Sequence, residues 1–143
     1  LDKQAEVIQN HGGDIDKFIG DAILAVFYGD QMADKAISCA IDIQKETQKL
    51  NKKLHKKIVI GIGINTGPVI AGPMGSKDRM DFTVIGDNVN LAARLCDAAQ
   101  NGEIIISNDT KEHLTENKFN FKKLNPYKAK GKEKLIKIFE VLV

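Results

Sequence analysis

Between residues 58 and 65 the chain alternates bulky and bare positions: Ile58, Ile60, Ile62 and Ile64 are interleaved with Val59, Gly61, Gly63 and Asn65. A period of two belongs to a β-strand, whose side chains leave alternately on opposite faces. The spacing predicts a strand over 58–65 with one face of isoleucines and one nearly without side chains. Glycine inside a strand either lets a ligand or another backbone come close or marks a bulge. Any fold for this chain must bury the first face and account for the second.

The flanking text supplies the other layers. Asp2–Asn10 reads as a helix closed by His11-Gly12-Gly13, where glycine permits the positive φ of a helix end. Asp14–Ile19 and Ala22–Phe27 are short apolar segments around Gly20-Asp21, a hairpin signature with Asp21 in the turn. Ala33, Ala36, Ile37, Ala40 and Ile41 recur at three and four, which predicts an amphipathic helix from Ala33 to about Leu54 that covers a sheet. After the turn Asn65-Thr66-Gly67-Pro68 come strands at Val69–Ala71 and Phe82–Ile85, joined by a loop over Gly72–Met80. A helix follows from Gly86-Asp87 to about Gln100, then a strand at Ile104–Ile106, a helix at Asp109–Asn117 and a final strand at Leu135–Val143. Strands and helices alternating with hairpins predict an α+β or α/β sandwich, with helices on a mixed sheet.

Composition sets limits on partners. The 143 residues fit one domain, and 43 % hydrophobic with 28 % charged residues is the balance of a globular core. No apolar run approaches the roughly 20 residues a membrane-spanning helix needs, and Leu1-Asp2-Lys3-Gln4 has no signal-peptide profile, so a cytoplasmic domain is expected. A net charge of +2 gives no case for nucleic acid, although lysines cluster at Asn51–Lys57 and Phe121–Lys137. Cys39 and Cys96 sit among apolar helix residues without metal-ligand spacing, as buried thiols do. The sequence enters helical text directly at Leu1 and is read as a fragment or excised domain.

Taken singly, the polar candidates are bland. Asn90 and Arg94 lie four apart and project from one face of a helix, but an exposed arginine is usually just solvated. Asp21 after Gly20 is ordinary turn chemistry, and Lys17, four residues earlier, could be surface. Lys130-Gly131-Lys132 could hold phosphate or keep a loop soluble.

Their order along the chain is more telling. Asp16-Lys17-Phe18-Ile19-Gly20-Asp21-Ala22, the glycines of Gly61–Gly67, Thr83-Val84-Ile85-Gly86-Asp87-Asn88-Val89-Asn90-Leu91-Ala92-Ala93-Arg94-Leu95 and Lys130-Gly131-Lys132 together closely resemble class III adenylate and guanylate cyclases. The resemblance runs through essentially all of residues 1–143; the Thr83–Arg94 segment is its specific part. It implies a ferredoxin-like α/β sandwich with a largely antiparallel sheet, and formation of cyclic AMP from ATP at a head-to-tail homodimer interface. It further implies two Mg2+ or Mn2+ ions, with Asp21 as the second of two metal-binding aspartates. Lys17 matches the purine-selecting lysine and Thr83 its partner, a threonine pattern linked to bicarbonate stimulation. Asn90 matches the residue that orients the ribose, Arg94 the one that stabilises the pentavalent transition state, and Lys130 the lysine that grips the terminal phosphates.

One departure accompanies the match. The family's first metal aspartate lies in an Asp-x-x-Gly-Phe-Thr strand, and nothing between Leu1 and Asp14 resembles it, so that strand is expected to be missing from this sequence. A non-catalytic dimerisation or nucleotide-binding module of the same family is the alternative. A diguanylate cyclase, suggested by Gly12-Gly13-Asp14, fails because Ile15-Asp16 stands where that family has Glu-Phe.

Overall fold

The bare face of the glycine-rich segment is filled by a helix. In a computed structural model that describes residues 2–74, 81–128 and 134–143, a Cβ placed on Gly63 would lie 2.2 Å from the Cys96 nitrogen and 2.5 Å from the Ala92 carbonyl oxygen. One placed on Gly61 would lie 2.1 Å from the Ala99 carbonyl oxygen. The helix backbone therefore rests directly on the strand backbone, and of the two readings of these glycines the close approach is the one realised.

The elements in order are α1 (Asp2–Asn10), β1 (Asp14–Ile19), β2 (Ala22–Val26), α2 (Met32–Asn51), β3 (Ile62–Ile64), β4 (Ile70–Met74), β5 (Asp81–Ile85), α3 (Asp87–Ala98), β6 (Ile104–Ser107), α4 (Asn108–Glu112), β7 (Phe121–Lys123), β8 (Tyr127–Lys128), β9 (Leu135–Ile136) and β10 (Ile138–Val141). Among the described residues, β3, β6, β10 and β7 form one sheet in that order. The β3–β6 pair is parallel; β10 runs antiparallel to both neighbours. Three two-stranded antiparallel pairs, β1–β2, β4–β5 and β8–β9, complete the α+β architecture.

β6 is the middle of the core. Ile104 and Ile106 pack with Ile37 and Ala40 of α2 and with Phe139 and Val141 of β10. Ile105, pointing the other way, packs with Leu95 and Ala99 of the α3 end and with Ile138. The sheet is thus sandwiched between α2 and α3, and a strand buried on both faces is continuously apolar. A third cluster, Val7, Ile8, Cys39 and Ile43 with Ile15, Ile23 and Phe27, seats α1 and the β1–β2 hairpin on α2.

Several boundaries differ from the sequence expectation: β4 runs on to Met74, into the loop expected from Gly72, because Gly72, Pro73 and Met74 pair with Thr83, Phe82 and Asp81, and four others shift for a visible reason. The strand expected from Ile58 begins at Ile62, because side chains of α2 take the earlier backbone groups: Asn51 bonds both the N–H and the carbonyl of Ile58 at 2.8 Å, and Gln44 donates to the Ile60 carbonyl at 2.7 Å. The same clasp stops α2 at Asn51 rather than Leu54. The helix expected over Asp109–Asn117 ends at Glu112, since the N–H groups of Thr115 and Glu116 donate to the buried Asp34 carboxylate. Burial opposes the ionisation of Asp34, but these bonds and one from the Thr115 hydroxyl outweigh it and hold its pKa below the usual value. The final strand breaks at Lys137, whose carbonyl accepts the Asn108 N–H; Leu135–Ile136 pairs with β8 and Ile138 onward with β6. β7 and β8 have no counterpart in the sequence reading.

The glycine packing has a measurable consequence. Gly63→Ala drives a methyl group into immovable helix backbone and should lower stability by roughly 3 kcal/mol in urea denaturation. Gly72→Ala, whose new Cβ meets only Ile85 Cδ1 at 3.9 Å, should cost under about 1 kcal/mol. Equal losses at the two positions would refute the strand-on-helix contact as the determinant.

Candidate active site

The β1–β2 hairpin presents the first two candidates. Ile19 pairs with Ala22, leaving Gly20 and Asp21 as a two-residue turn, and Gly20 takes φ +60°. A positive φ at the first turn position suits a type II′ hairpin and selects glycine there. Asp21 is held at the exposed tip. Lys17, within β1 and opposite Leu24, is partly exposed and lies 3.5 Å from the Asp16 carboxylate.

β5 brings the third. Thr83 pairs with Gly72 of β4, and the next residue, the buried Val84, donates its N–H to Asp16 Oδ1 at 3.1 Å. That bond joins two hairpins belonging to separate sheets, so the strand carrying Lys17 and the strand carrying Thr83 lie side by side. The side chain of Thr83 is outside the described residues, as is all of Lys130.

Gly86 converts β5 into α3. Its φ of 131° and ψ of 176° lie in a region open essentially to glycine alone, and its carbonyl accepts the Asn90 N–H that starts the helix. The first turn of α3 is clamped from the side. Asn65 donates to the Asn88 carbonyl at 3.0 Å and to Asn88 Oδ1 at 3.1 Å, while Asn88 Nδ2 donates to the Pro68 carbonyl at 2.8 Å. Ser107 in turn donates to Asn65 Oδ1 at 2.7 Å. These asparagines were not singled out from sequence; only their placement on a turn and a helix start hinted at a capping role. With Leu95 and Ala99 buried beneath, α3 has one fixed rotation, which puts Asn90 and Arg94 on its solvent face.

The structure thus brings Lys17 and Thr83 onto adjacent strands and Asn90 and Arg94 onto one helix face. Among the described residues, no hydrogen bond or ion pair joins Asp21 to Asn90 or Arg94. One cleft among the described residues is lined by Gln9, Asp14, Asp16 and Tyr28, and another by Thr66, Gly67, Asn88 and His113. Neither is lined by Asp21, Lys17, Asn90 or Arg94. Phe18 and Ile19 of β1, Ile70 of β4 and Ile85 of β5 are exposed apolar residues.

Other chemistries have little support. Burial, with a smaller contribution from Asp42, pushes the Cys39 thiol up to about 12, and burial likewise raises Cys96, so both are protonated and poor nucleophiles at neutral pH. Among the described residues, no group of three or more His, Cys, Asp or Glu side chains could hold a metal ion. Asp21 is a single exposed carboxylate, and the described residues do not by themselves fit a site for two divalent cations. Among the described residues, no helix is long and apolar enough to cross a membrane.

Comparison with known proteins shows the family and the fold. Residues 3–140 match the family described as the adenylate and guanylate cyclase catalytic domain. The terminal-differentiation-specific adenylate cyclase of Dictyostelium discoideum is 36 % identical over 145 residues, covering 94 % of this chain, which spans only 7 % of that protein. Among solved structures, the guanylyl cyclase Cya2 superposes with a TM-score of 0.90 at 32 % identity, over 98 % of this chain and 75 % of that one. The adenylyl cyclase CyaB from P. aeruginosa gives 0.89 at 30 % identity, over 100 % and 78 %. The glycine-seated helix α3, with Asn90 and Arg94 outward, is therefore a part of a cyclase domain: the chain belongs to the family of adenylate and guanylate cyclase catalytic domains.

Proposed function

We propose that this domain takes part in converting ATP to 3′,5′-cyclic AMP and pyrophosphate, at an interface between two copies of the chain. The observation that carries the reading is the outward placement of Asn90 and Arg94 on a helix that cannot rotate. In the reaction the ribose 3′ oxygen attacks the α-phosphorus and the bond to the pyrophosphate oxygen breaks, so negative charge grows on the nonbridging and leaving oxygens. Arg94 suits the nonbridging oxygens because its planar fork stays charged and donates in pairs. Asn90, one turn earlier, orients the ribose. Exposed apolar residues beside the same strands, Phe18, Ile19, Ile70 and Ile85, favour a second copy as the surface that completes the site.

Base choice is assigned to Lys17 and Thr83. A lysine donates to adenine N1, and a threonine hydroxyl accepts from the exocyclic amine; guanine presents the reverse polarity and calls for an acidic residue where Lys17 stands. ATP is therefore the proposed substrate, as for the Dictyostelium relative and CyaB, although Cya2 is a guanylyl cyclase. Lys130 is proposed to hold the terminal phosphates. Asp21 is a candidate ligand for Mg2+ or Mn2+. The alternative, a cyclase-like module that binds nucleotide or dimerises without turnover, draws on the same lone carboxylate.

Residues 1–143 with manganese and ATP should form no cyclic AMP above a protein-free control, while a chain extended upstream through an Asp-x-x-Gly-Phe-Thr strand should be active. In that extended chain Arg94→Ala should lower kcat by roughly 10²-fold with little change in ATP affinity, because its contact forms mainly in the transition state. Adding residues 1–143 to the Arg94→Ala protein should restore turnover by lending Arg94 across the interface. An extended chain inactive with every divalent metal would leave the binding module instead.

Purine selection has its own check. Lys17→Glu replaces a donor with an acceptor and should lower the ATP-to-GTP ratio of kcat/KM by about 10-fold or more. An unchanged ratio would remove Lys17 from the base pocket.

A further inference from the structure

We infer that Asp16 is a positioning residue for base selection, holding the strand of Lys17 and the strand of Thr83 at a fixed spacing; this rests on the roles proposed above for those two residues. The signal is a break in the β1–β2 register. Ile15 pairs with Ala25 and Lys17 with Leu24, so the register steps across Asp16 as a β-bulge in β1. Such a bulge bends the strand and re-aims a side chain. In an unbroken strand, adjacent side chains leave on opposite faces and cannot meet. Here Asp16 Oδ2 lies 3.5 Å from Lys17 Nζ, while Oδ1 accepts the Val84 N–H at 3.1 Å.

The carboxylate is well placed for such work. Its side chain is only 7 % exposed, whereas that of Lys17 is 31 % exposed. It spans two hairpins that the ladders leave in separate sheets, and the bond it accepts comes from the residue next to Thr83. Bonds to an ionised acceptor are shorter and stronger than neutral ones, which favours a carboxylate over an amide for this bridge. A lysine ammonium rides on a flexible four-carbon stem, and an anchor beside it narrows the positions from which it can read a base. Asp16 and Lys17 engage in further interactions as well, so the bridge is one part of a larger set of contacts.

The test compares Asp16→Ala, Asp16→Asn and Lys17→Ala with the parent. Amide exchange in residues 1–143 should show the Val84 N–H exchanging at least 10-fold faster in Asp16→Ala and near the parent rate in Asp16→Asn, which keeps an acceptor. In the extended, catalytically competent chain the ATP-to-GTP ratio of kcat/KM should fall about 10-fold for Asp16→Ala and about 3-fold for Asp16→Asn, where the acceptor remains but the charge beside Lys17 is gone. If Asp16→Ala does not fold, Asp16→Asn decides. An equal loss of turnover on both nucleotides with the ratio preserved would make Asp16 merely structural and overturn the inference, as would unaltered Val84 exchange in Asp16→Ala. A ratio that Lys17→Ala also leaves unchanged, or an extended chain with no turnover, would instead sink the functional reading on which the inference rests.

Discussion

Backbone packed on backbone, β3 against α3, is the contact on which the remainder of the domain depends. Gly61 and Gly63 leave no room for even a methyl group beneath Ala92, Cys96 and Ala99. Interiors packed to this density respond to change by shifting whole elements rather than by local adjustment. The depth of α3 on the sheet is thereby set, and with it the height at which Asn90 and Arg94 stand above the surface. Leu95 sets the rotation, because a fully buried leucine has one direction in which to point.

Around that contact, polar side chains do what ladders do elsewhere. Asn88, Asn65 and Ser107 fasten the start of α3 to the turn after β3 and to the end of β6. Asn51 and Gln44 take over the backbone of the segment before β3, and Asp34 holds the chain after α4. Each tie replaces water on a partly buried group, worth on the order of 1 kcal/mol singly, but each also removes a conformational option from a loop. Loops fixed this way are a sound base for residues that must be placed to within a fraction of an ångström.

Much of this was legible from the residues, and the boundary of legibility is instructive. Period-two isoleucines, the Gly20-Asp21 turn and the three-and-four spacing of α2 report local chemistry, and local chemistry is what a sequence states openly. The identity of the helix that fills the glycine face is not local; it depends on residues 29 to 38 positions away, Ala92 from Gly63 and Ala99 from Gly61. β7 and β8 were unreadable because Phe121–Lys123 and Tyr127–Lys128 are too short and too rich in lysine to display a period, and they are strands only because β10 and β9 pair with them. Asp16 looked like one acid in a run of motif residues, since a bulge is decided by the partner strand. The candidate site was found by its likeness to a family, while its supports, Asn65, Asn88 and Asp16, emerge only from distances.

The place of β10 between β6 and β7 bears on how the chain can be made. β6 has α2 and α3 on its faces and β3 on one edge, but its other edge is closed only by residues 138–141, and β7 has no other strand among the described residues to pair with. A ribosome delivering the chain from its N-terminus makes α1 to α4 and the β1–β2, β4–β5 and β8–β9 pairs before that strand. Closing loops over long separations also slows folding. For that interval the isoleucine-rich β6 stands with an open edge, the feature through which strands of different molecules join. The domain is thus most exposed to self-association in the interval before residues 138–141 have docked on β6.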